Sequence, residues 1–166
     1  MKRKEGNSID NKDFSNTVRP FETEMYNICK AILLYESDCC DVIQEALINA
    51  YNKLHTLRDD RYFKTWLFRI LINQCNTMRK KQKRRLNMEY GILDNLQAED
   101  RNYRELYNSI DTLKEDRRQA IILHYVNGYS IAEIADMLSV PIGTVKSRLH
   151  HARKELKELI LEVNEQ

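Results

Sequence analysis

The chain has 166 residues, 42% of them hydrophobic and 31% charged, with a formal net charge of +2, so it is not uniformly basic and any nucleic-acid surface on it must be local. Four glycines and two prolines favour helices throughout over strands and turns, and the length suits one domain or two small ones. No apolar run approaches the roughly 18–20 residues of a membrane span, so no direct membrane insertion is expected.

Residues 1–17, beginning MKRKEGNSIDNKDFSN, are charged and polar and read as a flexible tail. They carry no apolar core of a signal peptide, and a cytoplasmic protein is expected. From Val18 to Tyr35 the residues Phe21, Met25, Ile28, Ile32 and Tyr35 recur with a helix period. Ser37-Asp38 is a start signal for a second helix, from about Asp38 to Leu57. Val42, Ala46, Ala50 and Leu54 form its apolar face, with Asp41, Gln44, Glu45 and Asn49 on the polar side. After a loop at 56–60, a third helix is predicted from about Arg61 to Arg85, carrying Phe63, Trp66, Leu67, Ile70, Leu71 and Met78. Three such helices make a small bundle over residues 18–85.

The third helix ends in Arg79-Lys80-Lys81-Gln82-Lys83-Arg84-Arg85 and exposes Arg69, Asn73, Gln74 and Thr77 before that run. Tyr62, Phe63 and Trp66 stand near its start. Cations that track phosphates and rings that stack on unpaired bases suit single-stranded nucleic acid. The alternatives are core packing for Phe63 and Trp66 and a solvated face for the basic run. Residues 86–101 then turn acidic, with Glu89, Asp94, Glu99 and Asp100, and read as a flexible linker.

A second domain, residues 102–166, opens with predicted helices at about Asn102–Ser109 and Lys114–Tyr125, the latter with Ala120, Ile121, Leu123 and Val126 inward. Asn127-Gly128 supplies the C-cap and turn. In YSIAEIADMLSVPIGTVKSRLHHAR, Ile131, Ile134, Ala135 and Leu138 form one apolar face, and Ser130 with Glu133 matches a capping box. Pro141 suits the first position of the next helix, where Val145, Leu149 and Ala152 point inward and Lys146, Ser147, His150 and Arg153 outward. Ala135 and Gly143 are expected where the two helices approach closely. This is a helix-turn-helix pattern, whose second helix enters the DNA major groove. A structural helix pair with solvated charges is the plainer alternative.

Cys29, Cys39, Cys40 and Cys75 contain no Cys-x-x-Cys pair, and His55, His124, His150 and His151 complete no zinc pattern. Free thiols packed as small hydrophobes are expected, with no metal or cofactor. No Gly-rich phosphate loop or paired nucleophile and base suggests an enzyme.

The motifs together resemble a bacterial RNA polymerase sigma factor of the extracytoplasmic-function (ECF) group, from about Phe21 to Leu159. Asp41-Val-Ile-Gln44-Glu45-Ala with Ala50-Tyr51 is similar to the family's polymerase-binding helix. Phe63-Lys-Thr-Trp66-Leu-Phe-Arg69-Ile-Leu-Ile-Asn73 is similar to its promoter-melting helix, and Pro141-Ile-Gly143-Thr144-Val145-Lys146-Ser147-Arg148-Leu149 to its −35-reading helix. The resemblance implies an all-α chain of two small helical domains joined by an acidic linker. It implies that Asp41, Gln44, Glu45 and Asn49 contact the β′ clamp of core RNA polymerase, with the β flap as a further contact. Leu57, Phe63, Trp66, Arg69, Asn73, Thr77, Arg79, Lys80, Lys83 and Arg84 would serve the −10 element, the loop at Leu57 and the helix at Asn73 holding a flipped base. Thr144, Lys146, Ser147, Arg148, His150, His151 and Arg153 would serve the −35 element. An anti-sigma partner is implied as well. An autonomous regulator with the same helix-turn-helix and an N-terminal sensor or dimerisation domain remains the other reading of these residues.

Overall fold

A computed structural model describes residues 13–89 and 109–164, and among them every regular element is helical. Contacts divide the chain into two compact units, Met1–Leu86 and Asn87–Gln166.

In the first unit, α1 (Phe14–Val18) is followed by a 3-10 turn at Arg19–Phe21, then α2 (Glu22–Ile32), α3 (Cys39–Lys53) and α4 (Phe63–Glu89). Apolar side chains at three- and four-residue spacing face a common core. Met25, Ile28, Cys29 and Ile32 come from α2, Cys39, Val42, Ala46 and Ala50 from α3, and Leu67, Phe68, Leu71, Ile72 and Cys75 from α4. The expected tail ends earlier than residue 17. Phe14 and Val18, four apart and both buried, fold as one helical turn, and the Phe14 ring stands edge-on to Tyr51 at 5.6 Å and to Phe63 at 6.1 Å. The rest of the expected tail, residues 1–12, lies outside the described residues.

The helix expected over 18–35 is divided by the turn holding Pro20 and stops at Ile32, since Leu33 is extended. Asp38 stands at the N-cap of α3, yet its side chain makes no capping bond. Further 3-10 turns, Glu36–Asp38 and Leu54–Thr56, flank α3, and another, Asp60–Tyr62, leads into α4. Asp59 holds that turn by accepting from the Arg61 backbone N–H at 2.9 Å and pairing with the Arg61 guanidinium at 2.6 Å. α4 continues to Glu89, four residues beyond the expected end. The remainder of the linker, from residue 90, and the helix expected at 102–108 lie outside the described residues.

In the second unit, α5 (Glu115–Ile121) runs on into a π turn, Ile122–Val126. The Asn127 N–H bonds to Ile122 O at 3.0 Å, across five residues. The wider turn shifts the helix phase, so Val126, expected inward, is exposed while Leu123 stays buried. Gly128, at φ +76, makes the reversal. Then come α6 (Ile131–Leu138) and α7 (Ile142–Asn164). Ile134, Ala135 and Met137 of α6 pack with Val145, Leu149 and Ala152 of α7 and with Ala120, Ile121 and Leu123 in one core.

Candidate nucleic-acid interface

The bihelical motif of the second unit is capped at both internal ends. Ser130 Oγ accepts from the Glu133 N–H at 3.3 Å, and the Glu133 carboxylate accepts from the Ser130 N–H at 2.9 Å, the reciprocal capping box. α6 stops because Ser139 turns left-handed, at φ 56. The Ser139 N–H bonds to Asp136 O at 3.2 Å and the Val140 N–H to Ala135 O at 3.0 Å, which is a Schellman ending with serine where glycine is usual. Pro141 takes the position before α7 rather than its first residue. Its carbonyl accepts from the Thr144 N–H at 2.9 Å. Gly143 is not a point of close approach: it is exposed, and a Cβ there would meet nothing within 4 Å.

α7 presents Lys146, Ser147, His150, His151 and Arg153 to solvent, with Thr144 half-buried. The His150 and His151 rings stand edge-on at 5.6 Å, and Arg153 Nε donates to Leu149 O at 3.2 Å. Arg148, expected mostly on phosphates, already holds an ion pair with Asp116 of α5 at 3.4 Å. The next residue of α5, Arg117, pairs with Glu155 at 2.5 Å. Neighbouring residues of opposite sign on α5 thus pair with α7 two turns apart.

In the first unit, Arg69, Asn73, Thr77, Lys80 and Arg84 are exposed at steps of four, four, three and four along α4, with Lys83 exposed beside them. That spacing makes a single stripe. Thr77 Oγ1 donates to Asn73 O at 2.9 Å. Three of the expected DNA contacts point the other way. Arg79 is buried and donates from Nη1 to Ile32 O, so the guanidinium caps the C-terminal end of α2. Phe63, 3% exposed, packs on Phe14, Phe21 and Trp66, and Leu57, 6% exposed, is also in the core. These two shape the loop from inside and leave no face for a base. Trp66 is half-buried against Phe63, and the exposed ring beside the loop is Tyr62.

On α3, Asp41, Gln44 and Glu45 are exposed and Asn49 half-buried. Ile48, 61% exposed, lies in line with them at i+7 from Asp41 and escaped the sequence reading; an apolar residue breaking an otherwise polar helix face was its signal. Among the described residues no group of three or more His, Cys, Asp or Glu side chains is placed to hold a metal, and no helix is long and apolar enough to cross a membrane.

Sigma-70 region 2 matches residues 17–85 and sigma-70 region 4 matches residues 103–156. The ECF RNA polymerase sigma-E factor of Escherichia coli is 35% identical over 137 residues, covering 72% of this chain and 72% of the relative. This chain belongs to the ECF group of the sigma-70 family. The ECF RNA polymerase sigma factor SigW of Bacillus subtilis is 30% identical over 167 residues, covering 90% of this chain and 89% of SigW. Among solved structures, the sigma factor RpoE of Bartonella quintana, in complex with the anti-sigma factor NepR, matches with a TM-score of 0.65 at 26% identity, covering 90% of this chain and 97% of RpoE. The chain is therefore an alternative sigma factor, which decides between the two readings that the residues left open. The two matched regions bracket the exposed stripes of α4 and α7.

Proposed function

We propose that this sigma factor divides promoter recognition among three exposed faces. The α3 face of Asp41, Gln44, Glu45 and Asn49, with Ile48 in its middle, takes the β′ clamp of core RNA polymerase. A partly acidic helix face suits a basic partner, and the exposed isoleucine adds apolar area at the centre of the contact. The α4 stripe takes the −10 element. Lys80, Lys83 and Arg84 hold backbone phosphates, and the Asn73 amide offers both a donor and an acceptor to an unpaired base. Strand opening then needs no catalytic group: a base held outside the duplex stabilises the open form by its binding energy alone. Tyr62 supplies the exposed ring at the loop that Leu57 and Phe63 shape from within.

The α7 face takes the −35 element. Lys146, Ser147, His150 and His151 meet base edges, and Thr144 and Arg153 meet phosphates, with Arg148 drawn partly away by Asp116. The second unit also meets the β flap. The factor acts in the cytoplasm, has no enzymatic activity or cofactor of its own, and is held in check by an anti-sigma factor, as the Bartonella quintana relative is found with NepR. The observation that carries this reading is the one-sidedness of α4 and α7, each with apolar residues inward and cations with amides, hydroxyls or imidazoles in a stripe outward.

The test is reconstitution with bacterial core RNA polymerase on a set of promoter fragments. Discrete transcripts that require the protein, and that fall with Asp41→Ala/Gln44→Ala, are expected. Transcripts unaffected by that pair would overturn the α3 assignment. Operator binding by the free protein as tight as with core polymerase would overturn the division of labour.

A further inference from the structure

The basic run of α4 contains a residue that none of these faces uses. Gln82 sits between Lys81 and Lys83, yet it is completely buried. A buried amide must find partners or destabilise the fold. Gln82 Oε1 accepts from the Leu34 N–H at 3.0 Å, and Nε2 donates to Asp38 Oδ2 at 2.5 Å. One turn earlier, Arg79 donates to Ile32 O. Two side chains of α4 therefore hold the end of α2, the middle of the connection and the N-cap of α3. This also explains why Asp38 does not cap its own helix: its carboxylate is engaged by Gln82. Asp41 begins the exposed α3 face three residues after Asp38. Lys83 and Arg84 of the α4 stripe follow Gln82 directly. Leu34 is half-buried and Leu33 extended, so the helical path breaks after α2, and only a single 3-10 turn, Glu36–Asp38, with the Asp38 N–H bonded to Tyr35 O at 3.3 Å, leads into α3.

We propose that Gln82 is a positioning residue that ties the polymerase-binding face of α3 to the DNA-binding face of α4, so that engagement of one orients the other. The proposal rests on the assignment of those two faces made above. A site held through a hydrogen-bonded supporting residue loses function when that support loosens, even while each surface remains intact. The two faces must act together only during strand opening, so that step carries the effect.

The test uses the full-length protein in holoenzyme, on a promoter fragment that the wild type transcribes. Gln82→Glu removes the donor and sets a carboxylate against Asp38. Asp38→Asn alone keeps an acceptor for Gln82. The two together reverse donor and acceptor and rebuild the bridge. At saturating holoenzyme, permanganate reactivity of the opened thymines should fall about tenfold for Gln82→Glu, the scale of one buried hydrogen bond lost, while affinity for core polymerase is unchanged. Asp38→Asn and the double variant should open as the wild type does.

Wild-type opening by Gln82→Glu would overturn the proposal. So would losses of opening and of core affinity that follow the thermal melting of each variant in parallel, since a purely structural role moves all three. Should Gln82→Glu not fold, Asp38→Ala serves in its place, because it removes the bridge to α3 and leaves the Leu34 bond intact. Core affinity indifferent to Asp41→Ala/Gln44→Ala would overturn the face assignment, and this proposal with it.

Discussion

Cys29 and Cys75 meet in the first core with their sulfurs 3.4 Å apart, Cys39 is equally buried, and Cys40 is exposed. Burial pushes the Cys39 thiol up to about 11. The bond to Cys29, with burial, raises Cys75 well above the ordinary thiol range. Alkylation needs an accessible thiolate, so with Cys29, Cys39 and Cys75 buried and Cys40 exposed, iodoacetamide near neutral pH is expected to label Cys40 quickly and the other three only on unfolding. Peptide mass spectrometry checks this, and rapid labelling of Cys75 would contradict it. At Asp59, hydrogen bonds from Arg61 hold the carboxyl below its usual range. A folded value below the unfolded one means stability that is present at neutral pH and lost as the pH falls through the carboxylate range. Asp59→Asn should therefore flatten the acid limb of the unfolding curve, and an unchanged limb would show that the turn before α4 does not depend on this pair. Ser130→Ala removes one half of the capping box and should lower the stability of the second unit by about 1 kcal/mol, measurable by denaturant titration. Ser130 and Glu133 were legible in the sequence because a capping box is a local pattern. The break at Ser139 and Val140 before Pro141 was legible too, but not the left-handed turn of Ser139, since that conformation usually calls for glycine.

Within α4 the run Arg79 to Arg85 looks uniform in sequence but is divided by helix phase. Residues 79 and 82 lie four and seven after Cys75 and so extend the buried stripe of Leu71, Ile72 and Cys75, while Lys80, Lys83 and Arg84 face out. The signal was present: continuing the apolar phase past Cys75 picks out Arg79 and Gln82. Charge type hid it, since a buried guanidinium among five other cations reads as one more phosphate contact. The difference is measurable. Lys83→Gln should lower the slope of log affinity against log salt for holoenzyme binding to promoter DNA by about 0.7–0.9, one phosphate contact. Arg79→Gln should leave that slope unchanged and instead lower the melting temperature, because Ile32 O loses its partner. A salt slope that drops with Arg79→Gln would return Arg79 to the DNA surface. Leu57 and Phe63 follow the same logic. Leu57 read as an accessible loop residue and Phe63 was left open between base contact and core; the packing of Phe14 and Phe21 on Phe63 decides for the core there, and Leu57 is buried as well.

The molecule consists of two units, each with its own core. Leu67, fully buried in the first, gives the test: Leu67→Ala should destabilise that unit by about 2–5 kcal/mol and leave the second unit's calorimetric transition in place. A joint shift of all unfolding would contradict separate cores. At this scale the sequence by itself determined the helical class, the division near the acidic segment and the stripes of α3, α4 and α7, because composition and helical period act locally along the chain. It also determined the family, since motifs at both ends occur in one order. The tertiary structure alone decided what the inward-turned polar residues of those helices meet. Gln82 and Arg79 found the ends of α2 and α3, Arg148 found Asp116, and Val126 was turned outward by a π turn. The partners of Gln82, Arg79 and Arg148 are brought close only by packing, at distances along the chain that no local period encodes, whereas Val126 was moved by a local change of turn.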